Sequence, residues 1–263
     1  MLKKWFTIIP VVVSPVNFFI DAPFGKFSIN NSLFAVDGIK SWILMELVSP
    51  LSFLLNFTHQ SNPSSLLSLF FLVHYANRAL ISPLRTPSRN KSHIVVPLTA
   101  VAFNTVNGFL MATYLSSPAA LSFLRGAFAS TRFWAGLSLA VVGFVGNIAH
   151  DEILLNIRRN IKKDQSKQKG EHYAIPHGLL FSYISFPNYF CEWIEWAGFA
   201  LAASPLPSFA SGSAFLATIN PPWVFLLSEI LLMSPRALKG HKWYKKTFED
   251  YPRERKAVVP FFI

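Results

Sequence analysis

The chain has 263 residues, of which 52% are hydrophobic, 15% aromatic and only 14% charged, against roughly 25% charged in soluble domains. This is a membrane composition, and apolar blocks from end to end leave no room for a separate soluble domain, so one integral-membrane unit is expected. The formal net charge of +11 does not point to nucleic acid: the basic residues lie in short loops and a tail, where anionic lipid headgroups or an anionic cofactor fit better.

Seven apolar segments, at 5–20, 39–57, 64–84, 94–116, 131–152, 178–204 and 213–233, approach the ~20 residues that cross a bilayer. They predict an all-α polytopic membrane protein with seven transmembrane helices. The first follows Lys3 and Lys4, is interrupted by Pro10 and Pro15, and has no convincing small-x-small cleavage site after it, so it reads as a retained helix. The second carries Glu46 and the third carries His74, Tyr75, Asn77 and Arg78. Polar groups at such depth border a cavity rather than lipid. In the fifth, Asn147, Asp151 and Arg158 stand at i, i+4 and i+11, nearly one face of a helix. The stretch from Arg158 to Lys169 reads as a polar loop. In the sixth, Asn188, Glu192 and Glu195 are spaced i, i+4, i+7, again one face.

Most of the 24 Lys and Arg lie in the loops after the first, third and fifth segments and in the tail. Positive residues mark the cytoplasmic side, which predicts a lumenal N-terminus and a cytosolic C-terminus. The tail from Arg236 mixes basic residues with Trp243, Tyr244, Phe248 and Tyr251, so a packed cytosolic cap is expected, because aromatic residues at this density find something to bury against.

Soluble-enzyme signatures are missing: G-x-G-x-x-G, the phosphate loop G-x-x-x-x-G-K-[ST], H-E-x-x-H and G-x-S-x-G do not occur. A nucleotide would therefore sit in a groove built by membrane helices. The single Cys191 excludes an internal disulfide and a multi-cysteine metal site. His150 beside Asp151 is too slight a pair for a metal centre, and nothing asks for an obligate protein partner.

Five blocks carry a family resemblance: H-Y-x-x-R at 74–78, F-N-x-x-N-G at 103–108, N-x-x-x-D at 147–151 with Arg158 beyond, P-x-G followed by N-x-x-x-E-x-x-E-W ending at Trp196, and H-x-W-Y-x-x-x-F-E-D-Y-P-x-x-R-K-A-x-x-P-F from His241 to Phe261. From about Glu46 to the C-terminus the chain resembles the steroid 5α-reductase family, including the plant brassinosteroid reductases. The resemblance implies a seven-helix fold of the endoplasmic reticulum membrane that uses NADPH to reduce a carbon–carbon double bond conjugated to a ketone, with hydride delivered to the β carbon of an apolar steroid-like lipid. Tyr75 matches the family's catalytic tyrosine and Glu46 its glutamate partner. The resemblance further implies that Asn147, Asp151, Arg158, Tyr173, Asn188, Glu192, Tyr244 and Arg255 line the NADPH groove. A substrate half at about 1–116 and an NADPH half at about 117–263 follow.

Four positions depart from the family pattern. Ala174 replaces a cofactor-contacting arginine of animal members, Cys191 replaces a glycine before Glu192 and would narrow the groove, Met45 stands where animal enzymes have glutamine, and Gly240 where they have histidine. Alternative readings are a reductase of polyprenol or enoyl-CoA intermediates, a membrane methyltransferase of the isoprenylcysteine type, which would use S-adenosylmethionine, and a catalytically silent scaffold.

Overall fold

The computed structural model describes residues 2–29, 31–58, 61–163 and 173–262. Its helices are α1 (Leu2–Asn17), α2 (Gly38–Asn56), α3 (Asn62–Ala76), α4 (Ser82–Arg85), α5 (Val95–Leu115), α6 (Pro118–Phe123), α7 (Thr131–Lys163), α8 (Pro187–Ala203), α9 (Gly212–Thr218) and α10 (Pro221–Thr247). Short polar caps set where several of them begin. Asp37 accepts from the amides of Ile39 and Lys40, and Ser61 forms a capping box with Ser64. Each satisfies amides that a helix start leaves without intrahelical partners. A wide π turn at Asn77–Ile81 joins α3 to α4 without interrupting the rod. A two-residue antiparallel pair, β1 (Ala35–Val36) with β2 (Ser92–His93), ties together the leads into α2 and α5.

Four rods are long and apolar enough to cross a bilayer: α2, α3 with α4, α5, and α7 up to Ile161; α9 and α10, bent by 117°, make a fifth if taken as one span. The protein is an all-α membrane protein. With 16 and 17 residues, α1 and α8 reach about 25 Å at 1.5 Å per residue, short of the ~30 Å hydrocarbon core.

Three boundaries differ from the sequence expectation. Residues 178–186 hold no α-helix, only a 3-10 turn at Leu179–Ser182: Gly178 has φ 95°, Ser185 and Phe186 give their amides to the carbonyls of Lys256 and Ala257, and α8 starts only at Pro187, which suits a first helical turn but not an interior. The apolar run at 213–233 is broken between α9 and α10, where Pro221 and Pro222 open a new helix. Residues 158–163, expected as loop, continue α7, whose end is braced by Glu152 accepting from Arg159 at 2.6 Å and from Arg85 at 2.6 Å. The rest of that stretch lies outside the described residues. At 33 residues, α7 is about 50 Å long and overshoots the hydrocarbon core by several turns.

Two close helix pairs position everything that follows. Contacts between α2 and α5 advance together along both: Asn104 gives to the Met45 carbonyl at 2.7 Å, Gly108 lies against Ser49, and Ser116 accepts from the Thr58 amide. The two helices therefore run parallel. Contacts between α7 and α8 advance oppositely, with Gly136 against Ala202, Gly143 against Glu195 and Gly146 against Cys191. Small residues let helix backbones approach closely where lipid supplies no hydrophobic drive to association. α1 lies beside α10, held by Lys3 Nζ on the Ile219 carbonyl and Ser14 on that of Leu231. The lysine thereby satisfies a carbonyl freed at the α9–α10 break. The aromatic core between the pairs contains Phe53, Phe71, Phe133, Trp196 and Phe199.

Candidate active site

α2, the π turn after α3, α7 and α8 contribute to one run of polar groups, buried at Glu46, Asn147 and Glu192. Arg78, in the π turn after α3, stands with Nε 3.6 Å from Glu46 Oε1 on α2 and donates from Nη1 to Glu192 Oε2 on α8 at 3.3 Å. Asn147 on α7 donates to that same Glu192 oxygen at 3.3 Å and to the Asn188 carbonyl at 3.0 Å. Asn188 in turn donates to Asp151 at 3.0 Å. The side chains of Glu46 and Glu192 are only 9% and 3% exposed, and a buried carboxylate needs such a partner. One guanidinium thus serves two carboxylates from different helices. π turns recur at functional sites, and this one carries the bridging arginine.

Tyr75 is buried beside this run. Its hydroxyl accepts from Asn107 Nδ2 on α5 at 3.0 Å, and Asn107 also reaches Ser49 Oγ at 3.4 Å. Glu46 and Ser49 lie one turn apart on the same face of α2. Its neighbour His74 turns instead to α8, with Nδ1 2.6 Å from Glu195 Oε1 and its ring edge-on to Trp196. Although Glu195 shares a helical spacing with Asn188 and Glu192, it is paired on α3 rather than in their run.

A second cluster closes the end of the molecule where α10 meets the tail. Tyr244 is buried and stacks on Tyr251 with centroids 5.3 Å apart, and Tyr173 packs edge-on to Trp243. Lys26, from the α1–α2 connection, points its ammonium at four rings: Tyr244 at 4.1 Å, Trp243 at 4.7 Å, Phe186 at 4.9 Å and Tyr173 at 5.8 Å. Burial, then repulsion from Arg236 and Arg158, pushes Lys26 down to about 7, while the ring faces pull the other way. Arg236 lies over Phe24 and donates to its carbonyl at 3.2 Å. Arg89 lies 3.7 Å over Trp42, and burial, with the charges of Arg158 and Arg78, lowers it to about 9. Burial raises Tyr173, against the opposing field of Arg158. Among the described residues the ion pairs at this end are Lys239 with Asp21 and Glu152 with Arg85 and Arg159. Lys26, Arg89, Arg158 and Arg236 enter none of them, so the charge gathered here suits an anion.

Arg255 is buried, donates to the Pro176 carbonyl at 3.0 Å, and leaves its Nε without a partner among the described residues. It fastens the tail to the segment that carries Tyr173. The structure therefore joins Glu46, Asn147, Asp151, Asn188 and Glu192 through Arg78, sets Tyr75 beside them, and gathers Tyr173, Tyr244 and Arg255 separately. Among the described residues no hydrogen bond joins the two groups; Arg158 acts on both through its field. Sequence reasoning gives no role to Lys26 or to the Asn107 contact. It sets Arg78 at the border of a polar cavity, because an arginine inside an apolar span is itself a signal, but names neither of its carboxylate partners. Of the departures from the family pattern, Cys191 packs toward Gly146 and His150, 3.7 Å from His150 Nδ1, and so fills the α7–α8 seam. Gly240 leaves room for Phe186 and for Lys26 Nζ, which a Cβ there would meet at 3.3 Å. An open apolar groove of about 530 Å³ between α7 and residues 179–183 contains none of the site residues named here.

The model of the family described as 3-oxo-5-alpha-steroid 4-dehydrogenase matches residues 90–263. The chain is similar to 3-oxo-5-alpha-steroid 4-dehydrogenase 1 of Bos taurus, at 32% identity over 93% of this chain and 89% of the relative, and to steroid 5-alpha-reductase DET2 of Solanum lycopersicum, at 34% over 92% and 88%. A Schizosaccharomyces pombe protein named uncharacterized protein C9.08c is 40% identical over 99% of this chain and 98% of its own length. The match takes in α5, both halves of the α7–α8 seam and the packed tail, and the two named enzymes extend it over the α2–α3 polar run. The chain belongs to the 3-oxo-5-alpha-steroid 4-dehydrogenase family, whose members are oxidoreductases acting on CH–CH bonds.

Proposed function

We propose that the chain reduces the carbon–carbon double bond of a conjugated ketone, a 3-oxo-Δ4-steroid or steroid-like lipid, with NADPH. The observation that carries this reading is the convergence of buried Glu46 and Glu192 on the half-buried Arg78, with buried Tyr75 alongside, near a basic, aromatic-lined end. The residues fit the cofactor. Asn188 Oδ1 is buried without a partner among the described residues and suits a carboxamide N–H, while Lys26, Arg89, Arg158 and Arg236 supply positive charge for phosphates. Asp151 accepts from the Asn188 side chain and Asn147 holds its carbonyl, with Glu192 accepting from Asn147; Tyr173 and Tyr244 offer flat faces, and Arg255 braces the segment bearing Tyr173.

When bound, NADPH supplies the hydride that goes to the β carbon. Tyr75 donates a hydrogen bond to the ketone oxygen, which gathers negative charge as the double bond is reduced, and a proton from solvent then adds at the α carbon to complete the saturated ketone. A donor already fixed in a dry site favours that charge over the neutral ketone. Glu46 anchors Arg78 on the α2 side, and Arg78 links this end to Glu192. Burial among apolar helices keeps water from competing. In this reading residues 1–116 supply mainly the substrate half and 117–263 mainly the cofactor half, with Lys26 reaching across. In the same reading the short α1 and α8, extended by the residues that flank them, join the five longer rods as seven spans in the endoplasmic reticulum membrane, with a lumenal N-terminus and a cytosolic C-terminus.

The test is incubation of microsomes carrying the chain with NADPH and a panel of Δ4-3-ketosteroids, other lipid enones, polyprenols and enoyl-CoA, following NADPH oxidation and product mass. Saturation of a steroid enone by two mass units is the expected result. Turnover of only a polyprenol or enoyl-CoA would overturn the substrate, and S-adenosylmethionine-dependent methylation would overturn the reaction.

A further inference from the structure

The F-N-x-x-N-G motif on α5 has no part in the reading above, yet both of its asparagines are turned toward the residues that do. Asn104 and Asn107 are 6% and 2% exposed. Asn104 holds the Met45 carbonyl, the peptide that leads into Glu46, at 2.7 Å. Asn107 spans from α2 to α3, with one amide nitrogen reaching both Ser49 Oγ and Tyr75 OH. Gly108 completes the motif by letting α5 approach the Ser49 backbone, where a Cβ would collide.

We propose that Asn107 is a positioning residue that sets the direction of the Tyr75 hydroxyl, and that the Asn104–Asn107–Gly108 face of α5 holds Glu46 and Tyr75 in register. A phenol has one hydrogen to give and lone pairs to receive. Because Asn107 Nδ2 donates into a lone pair of Tyr75, the O–H hydrogen is left for another acceptor. An amide oxygen in the same place would take that hydrogen and leave none for a ketone. Receiving a hydrogen bond also makes a hydroxyl a better donor, since chained hydrogen bonds polarise one another. The same nitrogen lies 3.4 Å from Ser49 Oγ, so the donor side of the amide faces both hydroxyls. The claim about hydroxyl direction stands on these contacts alone; its consequence for turnover rests on the reading of Tyr75 given above.

Two measurements separate the parts. The first needs no substrate: infrared difference spectra of wild type against Y75F isolate the Tyr75 C–O stretch, which lies low when the oxygen only accepts and rises when the hydroxyl donates within the protein. Wild type should show the low band and N107D, at a pH where the new carboxyl is ionised, the high one, because an ionised aspartate offers acceptors only. A high band in wild type, or no change in N107D, would overturn the proposal whatever the enzyme reduces. The second is kinetic: N107A should lower kcat about tenfold, the scale of one hydrogen bond, with KM nearly unchanged, and N107D should lower it further. Adding N107A to Y75F should cost nothing more, because the asparagine acts through the tyrosine. Equal loss in the Y75F background, or N107D turning over like wild type, would overturn the link to turnover. Near-wild-type melting of each variant in detergent accompanies both tests, with N107S, which keeps a small hydroxyl donor, replacing any variant that fails to fold.

Discussion

Gly143→Ala tests whether the α7–α8 seam is what brings the polar run together. A Cβ at Gly143 would stand 2.6 Å from the Cys191 carbonyl oxygen and from Glu195 Cα, where ordinary contact begins at 3.4 Å. Both obstacles belong to backbone and cannot rotate aside, so the helices must part by about 1 Å. Asn147 lies one turn further along, and its bond to Glu192 is already 3.3 Å long. It and the 3.0 Å bond to the Asn188 carbonyl would be lost or weakened. Overpacking costs about 1–3 kcal/mol, and two weakened hydrogen bonds add about 1 kcal/mol each. Alanine's better helix propensity returns about 1 kcal/mol, leaving a net loss of roughly 2–4 kcal/mol. At ~2–4 °C per kcal/mol for a chain of this size, the thermal midpoint in detergent should fall by about 5–15 °C. NADPH affinity, read by fluorescence at a temperature where both forms are folded, should fall with it. Gly146→Ala should be milder, because the atom it meets at 2.8 Å is the rotatable Cys191 Sγ. Gly212→Ala, with nothing within 4 Å, should leave both measurements unchanged. A Gly143→Ala protein that melts and binds like wild type would refute the account of the seam.

Tyr75→Phe should preserve melting and NADPH binding while lowering turnover about a hundredfold, the scale of one donor to a developing oxyanion; a wild-type rate on a verified substrate would remove Tyr75 from the mechanism. Lys26, lowered to about 7 from 10.5, binds fewer protons in the closed loop than in the open chain between those values, so closure should strengthen as pH rises through that window and stay flat below it. Binding of anionic phosphates favours the ammonium, so calorimetry near pH 8 in buffers of different ionisation enthalpy should show proton uptake with NADPH, and Lys26→Met should abolish it; uptake unchanged in the variant would place the titrating group elsewhere. Arg255→Ala should weaken NADPH more than the lipid substrate, because it frees the segment that carries Tyr173. Equal loss of both would mark a folding defect of the tail.

Several helix bounds were legible in the sequence because hydropathy is local. The segments read at 39–57, 64–84 and 94–116 coincide within a few residues with α2, α3–α4 and α5. The segment at 178–204 was misread for the converse reason: its first part is apolar because it lies under the tail, where Ile184 bridges Lys256, not because it is helical. Spacing likewise put Asn147 with Asp151, and Asn188 with Glu192, on common faces. It had no means of telling that Glu195 would be paired with His74, or that Arg78 would serve Glu46 and Glu192 at once.

What the amino-acid order determined alone is the membrane class, the rods, and which polar residues share a face, since these depend on neighbours within a turn or two. Which face meets which was decided in three dimensions. Gly143 and Gly198 matter only because two backbones cross there, and Lys26 joins Tyr244 across more than two hundred residues because the α1–α2 connection folds over the end of α10. The half-buried Arg78 between two carboxylates has no periodicity to betray it; its place follows from helix crossing and from the cost of leaving charge unpaired in an apolar interior.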